Sequence, residues 1–148
     1  MGKESVQTAA RERLKPLVGR WTMKMTGAPP WPSDGHMELE WFRADVPLLI
    51  QRIHIDIPEA PEAVAFIGCD GMSNTYQYLY TDERDVQRIL TMTLEGGLWM
   101  LLREGEPFSQ RFTGRFSDDG MTITGRWEMK KPGEDWKTDI EVLYTKVP

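Results

Sequence analysis

The sequence has few of the residues from which metal centres, disulfides and nucleophilic active sites are built. Its 148 residues include one cysteine, Cys69, and two histidines, His36 and His54. A single cysteine excludes an internal disulfide, and these three residues are too few for the histidine or cysteine sets that hold zinc. An aspartate follows Cys69 and would raise rather than lower a thiol pKa, so we interpret Cys69 as a buried apolar side chain. We therefore expect no metal centre.

Other absences limit the partners and the location. No apolar run is long enough to span a bilayer and no segment resembles a signal peptide, so we expect a cytoplasmic protein that does not enter a membrane. The formal net charge is −5 and the basic residues are scattered, which argues against a nucleic-acid partner. No glycine-rich loop precedes a helix, so nucleotide phosphates have no predicted site. We expect no cofactor.

The residue pattern predicts one helix followed by many short strands. Apolar residues recur at three- and four-residue steps from Glu4 to Leu17, which is typical of an amphipathic helix. From Trp21 onward the apolar period is two, interrupted by turn residues and by a proline-rich loop at Gly27–Gly35. About ten strands at roughly 8–12-residue spacing favour an antiparallel sandwich or barrel, and no later helix is long enough for parallel crossovers.

These elements predict a single all-β domain over residues 1–148. A short N-terminal α-helix occupies 1–18, and a roughly ten-stranded antiparallel up-and-down barrel occupies 19–148. Gly19 and Trp21 form a Gly-x-Trp pattern at the start of the first strand, and Lys146 lies near the end of the last strand. Lys146 shares its strand parity with Tyr144, whose face we interpret as lumenal. A lysine that reaches inward over the Trp21 ring would close one end of the barrel as a cation–π pair.

These features resemble the calycin superfamily, the lipocalins and fatty-acid-binding-protein-like barrels. The similarity rests on Leu14–Trp21, on Phe116–Glu128 and on Tyr144–Lys146, and within the superfamily it points to an uncharacterised bacterial lipocalin-like family. The resemblance implies a small barrel that binds a hydrophobic ligand, whose identity it does not give. Haem-binding relatives place a ligating histidine in the C-terminal strands. This sequence has no histidine after His54, so haem is disfavoured and only His54 could ligate it.

The leading interpretation is a barrel that binds a small, largely apolar molecule in its lumen, because burial of apolar surface drives such binding. Arg103 ends an apolar strand near a barrel mouth, and its planar guanidinium is our predicted anchor for a ligand carboxylate. The predicted wall consists of large residues of inward parity: Met23, Met25, Trp41, Tyr78, Tyr80, Trp127 and Tyr144.

A cofactor-free enzyme of isomerase, cyclase or hydratase type is the alternative. The alternating tyrosines around Tyr78 project to one side of a strand, and with His54 or Asp56 in the same cavity they would polarise a carbonyl and shuttle a proton. Cross-strand aromatic packing explains the same tyrosines. The facing of Leu48–Ile57 decides between these readings. We favour its isoleucines inward, with His54 and Asp56 in solvent, because charged groups lose free energy on leaving water.

A third interpretation is a structural or partner-binding module whose barrel is filled by its own side chains. Six tryptophans and nine methionines are enough to fill it. The strand Leu98–Leu102 is apolar on both faces and needs a cover, either the N-terminal helix or a second subunit in a homodimer. In a filled barrel, Trp99 and Leu101 would form the outer interface.

Overall fold

A computed structural model describes residues 3–27 and 32–148, with side chains from residue 8 onward. One helix, α1 (Lys3–Leu14), leads through a 3₁₀ turn, Lys15–Leu17, into the strands. The described residues form ten strands: β1 (Gly19–Gly27), β2 (Ser33–Trp41), β3 (Leu48–Ile55), β4 (Ala63–Asp70), β5 (Thr75–Asp82), β6 (Gln87–Glu95), β7 (Leu98–Arg103), β8 (Ser109–Phe116), β9 (Thr122–Lys130) and β10 (Lys137–Lys146). Residues 28–31 of the predicted proline-rich loop lie outside the described residues.

Each strand pairs antiparallel with the next along the chain, and the first strand pairs with the last. β1 is hydrogen-bonded to β2 on one side and to β10 on the other, so the sheet is a closed barrel without a free edge. At the closure, Met23 lies opposite Tyr144 of β10 and opposite Gly35 of β2. The prediction of an all-β, ten-stranded antiparallel barrel with a short N-terminal helix is confirmed.

Alternation along the strands decides which side chains face the lumen. β3 shows this most clearly, because Leu49 and Gln51 are buried in the core while Arg52 forms an ion pair with Glu40 on the outer surface. Burial removes apolar surface from water, and charges keep their hydration outside. The apolar face of β3 therefore points inward, which is the orientation that the sequence favours for this segment.

One end of the barrel is closed by the helix and by the residues that follow it. Ala10, Leu14 and Leu17 are fully buried and belong to the same apolar core as the barrel interior. Trp21 is fully buried as well, and its indole N–H donates a hydrogen bond to the Leu17 carbonyl over 3.0 Å. Phe116 packs edge-on against the Trp21 ring with centroids 6.4 Å apart. This end of the barrel is therefore densely packed, and the buried indole N–H has a hydrogen-bond partner.

Gly19, Trp21 and Lys146 lie together at this closed end. The Lys146 ammonium is 5.3 Å from the centre of the Trp21 ring, within the range of a cation–π attraction. A Cβ atom at Gly19 would stand 2.9 Å from Lys146 Cε, and the φ angle of Gly19 is +136°. Glycine therefore provides both the space and the backbone conformation that bring the lysine stem across the first strand.

The helical segment differs from the prediction in its last turn. The α-helix ends at Leu14 rather than at Leu17, because Pro16 has no N–H to donate, and a 3₁₀ turn takes its place. The helix packs against β4. No helix in the described part of the chain is both long enough and apolar enough to cross a membrane.

The prediction that Trp99 and Leu101 of β7 form an outer interface is wrong. Trp99 and Leu101 are buried inside the barrel, and the exposed apolar side chain on this strand is Met100. The reason is the pairing with β8, which places Leu101 opposite the buried Phe112. A homodimer through Leu98–Leu102 stays a prediction, with Met100 as the side chain that would have to contribute to it.

A bulge near the start of β10 changes which side chains face the lumen there, so the predicted facing of Trp136 is wrong. The register against β9 shifts between Thr138 and Ile140, so Trp136 does not share the lumenal face of Ile140. The Trp136 ring instead lies under the Arg111 guanidinium, 4.3 Å from its carbon, on the outer side of the barrel. Asp139, in the bulge, lines the open end of the lumen.

Candidate functional site

The lumen contains a cavity of about 410 Å³ that opens at the barrel end away from the helix. This volume lies within the range of small-molecule sites, which is about 300–1,000 Å³. Its rim is formed where strands end or begin, by residues such as Ile55 of β3, Ala63 of β4 and Gln110 of β8. The barrel is therefore not filled by its own side chains, although its aromatic and methionine content is high.

Aromatic residues form the deep wall of the cavity. Phe112 lies at their centre, with ring centroids 5.0 Å from Trp99, 5.1 Å from Trp127 and 6.4 Å from Tyr144. Such tilted and edge-on contacts are the favourable geometry for aromatic pairs. The predicted wall residues that line the cavity are Met23, Met25, Tyr78, Tyr80, Trp127 and Tyr144.

Two glycines make room for the Phe112 ring. A Cβ atom at Gly114 or at Gly125 would stand 2.7 Å from a carbon of that ring, closer than real Cβ atoms approach. Both glycines lie on strands, and neither has a positive φ angle, so space rather than backbone conformation requires them. The sequence shows Gly125 on the inward face of its strand, but the pattern gives no sign that Phe112 occupies the gap.

A buried polar pair crosses the apolar wall beside these aromatics. The Tyr78 hydroxyl donates a hydrogen bond to Gln51 Oε1 over 2.8 Å, and the Gln51 amide approaches the Met37 sulfur at 3.3 Å. Burial raises the pKa of Tyr78, and burial also raises the pKa of Tyr144. Both phenols therefore stay neutral and act as hydrogen-bond donors or acceptors rather than as acids.

The rim holds a compact network of charged and polar groups. The Arg84 guanidinium contacts both carboxylate oxygens of Asp82, the shorter contact being 2.6 Å. These hydrogen bonds hold the pKa of Asp82 at about 2. The Tyr80 hydroxyl donates to the same carboxylate over 2.8 Å, and burial together with this bond raises the pKa of Tyr80. Arg84 is thus neutralised by a carboxylate partner.

Arg88 is the rim cation without such a partner. It shares the lumenal face of β6 with Leu90, lines the cavity, and forms no ion pair with a carboxylate within the described residues. One of its nitrogens donates to Gln110 Oε1 over 3.1 Å, and its guanidinium carbon lies 5.2 Å from the centre of the Phe108 ring. Burial, with the nearby charges of Arg103 and Arg84, lowers the pKa of Arg88. A guanidinium so placed gains from an anionic partner.

Arg103, the predicted anchor for a ligand carboxylate, binds backbone carbonyls instead of facing the cavity. Its guanidinium donates to the backbone carbonyls of Phe108 and Glu106, each over 2.8 Å. It therefore holds the turn between β7 and β8 and is not among the residues that line the cavity. The inward parity of Arg88 with Leu90 and Met92 is the sequence signal that identifies the better-placed arginine.

Trp41 also lies outside the cavity, although it belongs to the predicted wall. It is the last residue of β2, at the closed end, where the Arg11 guanidinium lies 4.3 Å from the centre of its ring. Asp139 is a cavity residue that the sequence pattern misses, because the β10 bulge changes its facing. Burial raises the pKa of Asp139, so this carboxyl is less readily ionised than those in solvent.

His54 and Asp56 do not share a cavity with Tyr78. The His54 side chain is 41% exposed on the outer face of β3, where it contacts Asp56 at 3.0 Å and Glu62. The hydrogen bond that the His54 ring donates to the Glu62 carboxylate raises the pKa of His54. The predicted acid–base set is therefore split between the two sides of the wall, and a molecule in the lumen has no access to His54, either for proton transfer or as a haem ligand.

His36 lies directly opposite His54 on β2, with ring centroids 5.1 Å apart. Even so, no group of three or more histidine, cysteine or carboxylate side chains in residues 3–27 and 32–148 is arranged to hold a metal ion. Cys69 is buried, and this burial raises its pKa, so its thiol is not activated.

Fold and site together define a closed ten-stranded antiparallel barrel with an apolar, one-ended cavity and a charged rim. No protein-family model matches the chain, and no curated protein matches it. Solved structures do match it, among them the crystal structure of Rv2717c from M. tuberculosis. That match has a TM-score of 0.61 and 14% identity, and covers 94% of this chain and 98% of that one. Similarity at this level of identity shows the fold.

Proposed function

We propose that the protein binds a small, largely apolar molecule in the barrel lumen. The observation that carries this proposal is the cavity of about 410 Å³, which is enclosed by apolar and aromatic side chains and open at one end. Each Å² of apolar ligand surface removed from water contributes about 25 cal/mol. Few polar groups face the body of the cavity, as in sites where shape and burial give affinity and a small number of polar groups give orientation.

The charged rim supports a ligand whose head group is an anion. Arg88 faces the lumen without a carboxylate partner, whereas Arg84 is paired with Asp82. Asp139 and Glu59 also line the cavity, so an anion is favoured where it contacts the Arg88 guanidinium and lies away from these carboxyl groups. The ligand class is therefore an amphiphile, with its apolar chain in the lumen and a carboxylate or similar head at Arg88.

Calorimetric titration with decanoate and with decanol tests this proposal, because the two probes share a chain and differ in the charge of the head. We expect decanoate to bind at least about tenfold more tightly, since hydrogen bonds to charged groups contribute about 1.5–3 kcal/mol. Arg88→Gln removes this preference. The matched control is Arg115→Gln, because Arg115 is exposed on the outer face of β8.

If neither probe binds, the proposed function is wrong. If decanoate binds with the same preference in the Arg88→Gln protein, the lumen is a binding site but Arg88 is not its anchor. His54 and Asp56 lie outside the lumen and burial raises the pKa of Tyr78, so these three residues do not form an acid–base set in the cavity.

A further inference from the structure

One hydroxyl group in the cavity wall has no partner among the described residues. The Tyr144 side chain is 5% exposed and lines the cavity, and its hydroxyl makes no hydrogen bond with any of those residues. The other two phenols that line the cavity are paired, because Tyr78 donates to Gln51 Oε1 and Tyr80 donates to Asp82, each over 2.8 Å. Tyr144 therefore offers the cavity a phenol whose donor and acceptor capacity is unused.

The Tyr144 oxygen is within reach of a molecule in the lumen. In the described part of the chain, the buried polar side-chain atoms that lack a hydrogen bond and that no water-sized group can reach are Arg11 Nε and Trp99 Nε1, and the Tyr144 oxygen is not one of them. Tyr144 is almost entirely buried and lines the cavity, so the surface that its oxygen keeps open belongs to the lumen. A bound chain that covered this oxygen without a hydrogen bond would leave a buried polar group unpaired.

Tyr78 faces Tyr144 from the opposite wall of the barrel. The strands that carry them, β5 and β10, are separated by four strands in either direction around the closed sheet. Burial raises the pKa of Tyr78, and the Tyr144 phenol adds to this rise, so the two groups interact across the lumen. The Tyr78 proton is donated to Gln51, and the Tyr78 oxygen therefore keeps its capacity to accept.

We propose that the ligand of this protein carries a hydroxyl group partway along its apolar chain, and that this hydroxyl accepts a hydrogen bond from Tyr144 and donates one to the Tyr78 oxygen. This inference rests on the proposed function and narrows its ligand class from simple amphiphiles to hydroxylated ones, such as hydroxy acids. A keto oxygen suits the pair less well, because it only accepts and the Tyr78 proton is already donated to Gln51. With the anionic head at Arg88, the ligand is held at two points separated by apolar chain.

The cavity then discriminates by chemistry as well as by length. A site that provides hydrogen-bonding groups for a ligand hydroxyl rejects the analogue without it, because those groups are left unpaired in the complex. A purely apolar wall would instead favour the parent acid, since the hydroxyl would lose its hydration and gain nothing. The sign of the difference between the parent acid and the hydroxy acid therefore reports on Tyr144.

Calorimetric titration compares decanoate with three hydroxydecanoates, which carry the hydroxyl near the carboxylate, at mid-chain or next to the terminal methyl. We expect at least one of them to bind about tenfold more tightly than decanoate, and more tightly than the oxodecanoate with its keto group at the same carbon. Tyr144→Phe should bring the affinities for this hydroxydecanoate and for decanoate within about twofold of each other. Tyr76→Phe is the matched control and should keep the preference, because the Tyr76 hydroxyl donates to the Leu94 carbonyl and Tyr76 does not line the cavity.

The stability of the ligand-free protein provides a readout that needs no ligand. Tyr144→Phe should leave Tm within about 1 °C, because its hydroxyl has no hydrogen bond to lose, whereas Tyr78→Phe should lower Tm by about 2–4 °C because it breaks the buried bond to Gln51. If Tyr144→Phe lowers Tm as much as Tyr78→Phe does, the Tyr144 hydroxyl is bound within the protein and the inference is overturned.

The titrations separate this inference from the proposed function. If decanoate binds but no hydroxydecanoate binds more tightly, if the matching oxodecanoate binds as tightly as the hydroxydecanoate, or if the preference survives Tyr144→Phe, the hydroxyl inference is wrong while the proposed function stands. If neither decanoate nor any hydroxydecanoate binds, the proposed function fails and the inference fails with it.

Discussion

Adding one methyl group at Gly125 should measurably destabilise the barrel. The Cβ of Gly125→Ala would stand 2.7 Å from one carbon of the Phe112 ring and 3.0 Å from the nearest Val142 methyl. Phe112 is 1% exposed and packed against other aromatic rings, so its ring has to shift against them to admit the methyl group. Overpacking of this kind costs about 1–3 kcal/mol. For a domain of this size, a loss of about 2 kcal/mol lowers Tm by roughly 4–8 °C.

Gly68→Ala is the matched control for this change. Gly68 also lies within a strand, but a Cβ there would make only ordinary contacts, at 3.6 Å to Leu48 and 3.7 Å to Gln77. It should be neutral or slightly stabilising, because alanine reduces the entropy of the unfolded chain. Both variants are measured by urea unfolding followed through tryptophan fluorescence, with equal slopes required for the comparison.

A third variant identifies the ring as the cause. In a Phe112→Leu background the clash partner is smaller, so Gly125→Ala should cost about 1 kcal/mol less than it does in the unmodified protein. The reasoning is refuted if Gly125→Ala is no less stable than Gly68→Ala. It is equally refuted if the cost of Gly125→Ala does not change when Phe112 is replaced.

Three further perturbations follow from the charged groups. Asp82→Asn should lower the free energy of unfolding by about 2 kcal/mol at neutral pH, because Arg84 depresses the pKa of the Asp82 carboxyl to about 2. This stabilisation is lost as pH falls from about 4 through 2, so urea unfolding should give the two proteins the same stability at the acid end. A stability difference that does not change with pH would contradict the prediction. His54→Gln should lower Tm below about pH 6.5, where protonated His54 stabilises the folded protein fully because its pKa is raised. The Tm difference between the two proteins should vanish as pH rises through the pKa of His54 in the folded protein, and a difference that grows with pH would refute this. Lys146→Met should lower the free energy of unfolding, measured in urea, by about 0.5–1 kcal/mol, because it removes the contact between Lys146 and the Trp21 ring. An unchanged stability would show that this cation–π pair does not stabilise the protein.

Strand parity accounts for most of what could be predicted about the barrel. The alternation of large apolar residues places Met23, Tyr78 and Trp127 on the lumenal side, because a strand turns successive side chains to opposite faces. The same rule puts His54 outside once the apolar face of β3 is known to point inward. These inferences need only local sequence, because side chains alternate between the two faces of every strand in a closed antiparallel sheet.

The parts that could not be predicted depend on contacts between distant segments. Arg88 and Arg103 have the same inward parity, and only the backbone carbonyls of the β7–β8 turn occupy Arg103 and leave Arg88 available. The bulge that turns Asp139 to the rim is a register shift between two strands, for which no residue pattern exists here. The position of the Phe112 ring in the cavity wall depends on the space that Gly125 leaves on the neighbouring strand through its lack of a Cβ.

The two ends of the barrel differ in a way that dictates how a ligand must enter. The closed end is packed with Leu14, Leu17 and Trp21, whose burial leaves no path for a molecule from that side. The open end carries Arg88, which is stabilised by water or by an anion and would lose both if driven into the apolar interior. The amphiphile that we propose as ligand would therefore enter chain first and stop when its head reaches the rim.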